Sequence, residues 1–332
     1  MSEDRIRIAI NGFGRIGRTI LRILMREGAA FELVCINDIE PLETCAYLFQ
    51  YDSVFGPWPG VVTTRPGVLV VDGQEIPFHA ARDLSTLDLS GVDLVLECTG
   101  MGGKRAVAER GLQAGARAVL VSGPSAEADV TLVIGANEGD LGDHRIISNA
   151  SCTTNALAPL ARLLDEAYGI VSGQMTTVHC YTGSQPTVDK PRDAPERSRA
   201  AALSMVPTTT SAQHQTGLVL PGLEGRIEAR AIRVPVASVS CIDLVVQLRA
   251  DVTAEGVNAH LQEAAARHAW LGWTEAPLVS SDLRARAESL IVAGPQTSVS
   301  VGGLLRVFGW YDNEWGFSCR MLDMARLIGR RG

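Results

Sequence analysis

The sequence lacks several features that would have assigned it to a class at once. It has seven cysteines among 332 residues, an odd number, and none stands in a CxxC pair. That argues against a disulfide framework and against a zinc site, and leaves most of the cysteines as small buried hydrophobes in a reducing cytoplasm. Basic runs are missing and the formal net charge is -7, which excludes nucleic acid as the main partner. No apolar run approaches the roughly 18 residues of a membrane helix. The first twelve residues, MSEDRIRIAING, contain no signal-peptide core. Internal repeats and low-complexity tracts are also absent.

What is present changes character halfway along. Residues 1–151 alternate short β-branched runs (6–10, 33–36, 94–98, 118–121, 132–134, 145–147) with helical stretches (16–26, 104–114). This alternation predicts a doubly wound parallel sheet of the Rossmann type. Residues 152–315 carry longer strand candidates (174–179, 227–234, 239–249, 305–311) with few helices between them, so an α+β domain with a mainly antiparallel sheet is expected. Helices are expected at 152–168, stopped by Gly169, and at 253–270, with Thr253 as N-cap and Gly272 beyond the end. A long proline-bearing stretch between Cys180 and Pro207 reads as a functional loop. The closing helix, 316–332, is expected to pack back on the first domain.

Gly12, Gly14 and Gly17 form GxGxxG between the first strand and the first helix, and Asp38 follows Gly17 by 21 residues at the end of the second strand. In that setting the glycines allow a tight turn and a close approach of backbone to a pyrophosphate at a helix N-terminus. Asp38 would accept from ribose hydroxyls and repel a 2′-phosphate, which favours NAD over NADP. Cys152 opens the 152–168 helix, where the helix dipole is expected to lower its pKa. His179, 27 residues on, ends a strand and begins the long loop, the position of a general base facing a cleft. The other histidines (79, 144, 214, 260 and 268) have no such setting.

These segments carry a family. INGFGRIGR at 10–18, INDI at 36–39, SNASCTTN at 148–155, TTVH at 176–179, RVP at 233–235 and WYDNEWG at 310–316 resemble, in order and spacing, the phosphorylating glyceraldehyde-3-phosphate dehydrogenase family. The resemblance spans residues 5–328. It implies a Cys152 nucleophile with His179 as base, and a thioester that inorganic phosphate releases. It implies an oxyanion held by the Cys152 N–H and by His179. It puts Arg15 and Ile16 at the pyrophosphate of NAD, and Arg82, Thr99 and Ser122 along the cofactor. Asn313 falls to the nicotinamide carboxamide. Thr182 and Arg233 fall to the substrate phosphate. Ser151, Thr153, Thr210, Ser211 and Arg197 fall to inorganic phosphate, with Arg199 as an alternative to Arg197. A small phosphorylated aldehyde, a homotetramer and a cytoplasmic location follow from the same likeness.

The chain also departs from the family pattern. Ala156 replaces a common second cysteine. The residues after His179 read Cys180-Tyr181-Thr182-Gly183-Ser184-Gln185-Pro186, and Ser211 and Val236 stand for the usual Gly and Thr. Phe317 occurs in the sister erythrose-4-phosphate dehydrogenases, which gives one alternative substrate; a non-catalytic regulatory paralogue is a second alternative. Glyceraldehyde 3-phosphate is the expected substrate.

Overall fold

A computed structural model describes residues 5–28 and 30–331; the outermost residues of the two expected terminal segments lie outside that range. The chain divides into two compact units. The first comprises Met1–Leu132, Glu138–Ala150 and Ser318–Gly332, and the second comprises Val133–Asn137 and Ser151–Phe317.

The first unit is built on nine strands in the order Val130–Thr131, Ile146–Ser148, Ala118–Val121, Leu94–Glu97, Ile6–Asn11, Phe31–Asn37, Gln74–His79, Val68–Val71, Val62–Arg65. The first seven run parallel. Leu94–Glu97 and Ala118–Val121 are buried at every position, as parallel strands covered on both faces must be. The strand order turns back beside Ile6–Asn11, which opens a crevice at the C-terminal ends of the strands. The last two strands form an antiparallel meander with Gln74–His79. The C-terminal helix Trp315–Gly329 contributes its later turns to this unit. Arg326 stacks on Phe31 at 5.2 Å, and Arg117 donates to the Gly329 carbonyl at 3.1 Å.

The second unit has an eight-stranded sheet. Its main path is Val206–Thr209, Ile227–Val234, Ile170–Cys180, Ser240–Leu248, Leu304–Tyr311, Leu290–Ala293, Leu271–Thr274. Two pairs are parallel, Ile170–Cys180 with Ile227–Val234 and Leu271–Thr274 with Leu290–Ala293; the others are antiparallel. Helix Cys152–Tyr168 lays Leu157, Leu160 and Leu164 on Met175, Ile242, Leu244 and Val307. Val257, Leu261 and Ala264 of helix Ala254–Arg267 join the same core. A Rossmann-type α/β unit and an α+β unit are the fold class expected from the strand and helix alternation.

Several local expectations need correction. The run at 132–134 is not a strand. The ladder stops at Thr131, and the Ala136 and Asn137 N–H groups fold back on the Val133 carbonyl in a turn completed by Gly135 at φ +84°. The strand expected at 145–147 is Ile146–Ser148. The helix capped by Thr253 ends at Arg267, not 270. Gly272 is no helix stop: it lies inside a strand, where an added Cβ would come within 2.9 Å of Ile291 and 3.2 Å of Glu288. The Cys180–Pro207 stretch holds a short 3-10 turn, Pro195–Ser198, and its end enters strand Val206–Thr209.

The two roles of Gly272 predict opposite signs. A glycine at an unhindered site gains about 0.4–1 kcal/mol on conversion to alanine, whereas crowding in a packed sheet costs about 1–3 kcal/mol. Gly272→Ala is expected to lower the urea midpoint; a raised midpoint would contradict the packing role.

Candidate active site

The crevice of the first unit fits a dinucleotide. Gly12 sits at φ +95°, and a Cβ there would lie 2.5 Å from the Thr99 nitrogen. A Cβ on Gly17 would lie 2.1 Å from the Gly12 carbonyl oxygen. Both glycines let the chain touch itself. Gly14 differs: a Cβ on it would meet nothing within 4 Å. It precedes helix Arg15–Glu27, whose N-terminus has no side-chain cap. Open space over an uncapped helix N-terminus is where a pyrophosphate fits. Ile16 lies in that first turn. Asp38 accepts from the Phe13 N–H with one oxygen and from the Glu40 N–H, at 2.9 Å, with the other. It thereby ties the second strand to the glycine loop.

The Arg15 side chain is turned onto Asp52 and packs on Phe55. Thr99 caps the Glu97 carboxylate with both its N–H and its hydroxyl, and the Ser122 N–H donates to the Glu97 carbonyl at 3.0 Å. Arg82 is exposed. A buried network that sequence reasoning missed joins the strand ends: Asn37 donates to Asn11 at 2.8 Å, and Asn11 donates to Glu97. Burial raises the Glu97 pKa, opposed by the bonds from Thr99 and Asn11. The one carboxylate and two amides of that network are ordinary strand-end residues, so only their convergence in space reveals it.

In the second unit, Ser151 starts helix Cys152–Tyr168 by accepting from the Thr154 N–H at 3.1 Å. The buried Gln215 fastens this start. Its Oε1 accepts from the Ser151 N–H at 3.0 Å and from the Thr154 hydroxyl at 2.9 Å. The cap and the clamp fix Cys152 at the first helical position. His179, 4% exposed, brings Nε2 to 3.6 Å from the Cys152 Sγ. The Tyr311 ring stands edge-on to the imidazole at 6.0 Å. Its hydroxyl bonds Thr153 at 2.9 Å and Thr177 at 2.8 Å, and Thr177 donates to the Cys241 carbonyl at 2.9 Å. Tyr311 and Thr177 therefore back the pair from the core. Neither residue type, alone in a strand, distinguishes that role from packing.

Electrostatics correct the expectation for the thiol. Burial pushes Cys152 up; Arg233, the Thr153 hydroxyl and the N–H groups of Thr153 and Cys152 itself oppose it without prevailing. Burial and then Arg233 push His179 down to about 3, against a hydrogen bond with the Cys180 backbone. The imidazole is thus neutral, as a base must be.

The anion-binding candidates fall into two groups. Arg233 is the parallel-strand partner of His179, and its Nη1 lies 2.7 Å from His179 Nδ1. Arg233 and Arg197 line one cavity of about 380 Å³ with Ser184, Gln185 and Thr208. Arg197 is held by the hydroxyls of Thr208, at 2.7 Å, and Thr209, at 3.0 Å. Arg199 is neutralised by Asp189 at 2.9 Å, so Arg197 is the better anion ligand of the two. Thr182 bonds Ser184 at 2.9 Å. The second group gathers at Gln215, which Ser151 and Ser211 both reach, while the Thr210 hydroxyl caps the Ala212 N–H. Thr153 does not join them with its side chain, which is 2% exposed and bonded to Tyr311. Asn313 is buried, its Oδ1 accepting from the Cys180 thiol at 3.0 Å. A larger open groove, lined by Gln174, Thr176, Asp243 and Arg306 among others, has no thiol or imidazole, and its Arg306 and Asp243 pair with each other. Among the described residues no cluster could hold a metal.

A buried neutral histidine makes the fold acid-sensitive in a defined window. Between the ordinary histidine range and pH of about 3, the unfolded chain holds a proton that the folded chain refuses. Stability is complete above that window and falls with pH inside it, with a limiting slope of ~1.4 kcal/mol per pH unit. Urea unfolding of wild type and His179→Asn from pH 7 to 4.5 is expected to show the steeper loss in wild type. Equal slopes would mean that His179 is not held neutral.

The family model "Glyceraldehyde 3-phosphate dehydrogenase, NAD binding domain" matches residues 6–105, and "Glyceraldehyde 3-phosphate dehydrogenase, C-terminal domain" matches residues 151–313. The chain is 47% identical over 329 residues to the glyceraldehyde-3-phosphate dehydrogenase of Cereibacter sphaeroides, covering 98% of this chain and 99% of that one. It is 46% identical over 333 residues to the enzyme of the same name from Xanthobacter flavus and 44% identical over 333 residues to glyceraldehyde-3-phosphate dehydrogenase 1 of Bacillus subtilis, with the same coverage. A thiol against a neutral imidazole, an uncapped helix over a glycine cradle and this extent of identity lead to one conclusion: the chain belongs to the glyceraldehyde-3-phosphate dehydrogenase family.

Proposed function

We propose that the protein oxidises D-glyceraldehyde 3-phosphate to 1,3-bisphosphoglycerate through a thioester on Cys152. The observation that carries this reading is the 3.6 Å approach of the Cys152 sulfur to His179 Nε2 with Arg233 alongside. NAD, when bound, supplies the hydride acceptor. Cys152 adds to the aldehyde carbon, forming the S–C bond of a thiohemiacetal. His179 takes the hydroxyl proton as that carbon is oxidised. A phosphate oxygen then attacks the thioester carbonyl, the C–S bond breaks, and the sulfur leaves as thiolate. The Cys152 N–H and His179 stabilise the oxyanion.

Arg233 and Thr182 hold the substrate phosphate. Ser151, Thr210, Ser211 and Arg197, with the Thr153 backbone, hold inorganic phosphate; guanidinium and hydroxyl donors suit both anions. Gly12, Gly14, Gly17, Arg15, Ile16, Asp38, Arg82, Thr99, Ser122 and Asn313 form the cofactor site. Residues 1–151, with residues 316–332, act as the NAD-binding domain and 152–315 as the catalytic domain. Cys35, Cys45, Cys98, Cys152, Cys180 and Cys241 form no disulfide, which supports a cytoplasmic location. No helix among the described residues is long and apolar enough to cross a membrane. Val188, Leu203 and Met205 are 72, 85 and 75% exposed in the long loop, which supports a homotetramer that covers them.

With glyceraldehyde 3-phosphate but no phosphate, stopped-flow absorbance is expected to show about one NADH per subunit and then a stall. Added phosphate restores turnover, and His179→Asn lowers kcat about 10²–10⁴-fold. Steady turnover without phosphate would reject the acyl-phosphate product. Light scattering is expected to give the mass of four chains; a monomer would reject the tetramer.

A further inference from the structure

The hydrogen bonds around Gln215 run in one direction only. Its side chain accepts from the Ser151 N–H at 3.0 Å. A backbone N–H only donates, so the accepting atom is Oε1 and the amide cannot be turned over. The Thr154 hydroxyl, 2.9 Å from the same oxygen, must then donate to it. Thr154 Oγ1 also lies 2.7 Å from the Ser151 hydroxyl. Its own proton is committed to Gln215, so Thr154 accepts in that pair and Ser151 donates. Gln215 thus draws the protons of two hydroxyls into the clamp that holds the Cys152 helix.

The other end of the same amide is left over. Gln215 Nε2 carries two N–H donors and meets no acceptor among the described residues. The residue is 3% exposed, and Nε2 is not among the atoms sealed from water. Side chains on a helix lean toward its N-terminus, and Gln215 leans back over the start of helix Ala212–Val219. There Ser211 stands 3.4 Å from Oε1. Nε2 shares a carbon with Oε1, so it lies among Ser151, Thr154 and Ser211 as well. The adjoining Thr210 hydroxyl accepts from the Ala212 N–H at 3.2 Å, and its own proton has no acceptor among the described residues. The Thr153 hydroxyl is engaged by Tyr311. Donors without acceptors, gathered where two helices begin, suit an anion.

We propose that Gln215 is a ligand of the inorganic phosphate that releases the thioester. Oε1 holds the helix of the nucleophile, and Nε2 donates to a phosphate oxygen. One residue therefore fixes the thiol and seats the anion that attacks its acyl group. The Ser151 hydroxyl can serve that anion only by letting go of Thr154, whereas Nε2 gives up no bond. An amide N–H on a phosphate oxygen is a charge-assisted bond, about twice as strong as one between neutral groups. Gln215 takes no part in the covalent steps: the phosphate oxygen attacks the carbonyl and the sulfur leaves as thiolate. The inference rests on the acyl-phosphate reading of the Cys152 thioester.

Rapid-mixing kinetics of the full-length enzyme separate the two ends of the amide. The NADH burst without phosphate reads formation of the thioester, and the rate at low inorganic phosphate reads its release. Gln215→Glu keeps an acceptor for the clamp but loses the N–H donors. Gln215→Met, of similar length, loses both. In each variant the phosphate-dependent release is expected to fall about tenfold or more beyond any fall in the burst. Equal losses in the two steps would overturn the ligand role. So would an excess loss confined to Gln215→Glu, which is repulsion between two anions without a contact. If neither variant folds, a crystal structure of the wild type with inorganic phosphate decides. The anion is expected within hydrogen-bond distance of Nε2; one seated on Thr210 and Ser211 out of reach of Nε2 would overturn the proposal. Steady turnover of the wild type without phosphate would overturn the acyl-phosphate reading and this inference together.

Discussion

His179 and Arg233 are partners across two parallel strands, and this register sets a permanent cation against a buried imidazole. The sheet cannot slip by one residue without sending one side chain to the opposite face. The core enforces the register: Met175 and Ala229, Cα partners on these strands, both lie under helix Cys152–Tyr168. The geometry of His179 is therefore a property of the whole sheet. A surface loop could carry the same residues but would not hold them to tenths of an ångström.

The thiol is fixed by different means. Ser151 caps its helix and Gln215 ties down the cap. Cys152 is brought to the sulfur–imidazole distance by a helix start, and His179 by a strand end. Tyr311 joins the two supports through Thr153 and Thr177. Burial disfavours charge on all three of Cys152, His179 and Tyr311. The resting pair is consequently poised to exchange a proton rather than hold separated charges. A helix terminus alone led to the opposite expectation for the thiol, because position along a helix carries no information about desolvation.

Much of this was legible before any coordinates. The glycine loop, Asp38 and the helix beginning at Cys152 are local features, written in residues adjacent in sequence. The Rossmann strands were legible because burial on both faces demands continuous apolar runs such as Leu94-Val95-Leu96. The meander from Val62 to His79 was not, since its outward positions are polar and its strands are short. Gly272 was misread because a glycine after a helix and a glycine in a crowded strand look alike in sequence; only the neighbours Ile291 and Glu288 separate them. Gln215, Glu97 and Tyr311 were missed for a related reason: each also holds a partner from 61 to 158 residues away.

The oxygen of Gln215 has two lone pairs and three claimants. The Ser151 N–H and the Thr154 hydroxyl hold it at 3.0 and 2.9 Å, while the Ser211 hydroxyl stands at 3.4 Å. Ser211 is thus the surplus donor. It can rotate away toward an incoming anion without breaking the clamp that holds the nucleophile's helix. A glycine at this position has no such hydroxyl, so the substitution adds a movable donor beside the clamp at no cost to the rigidity of the thiol.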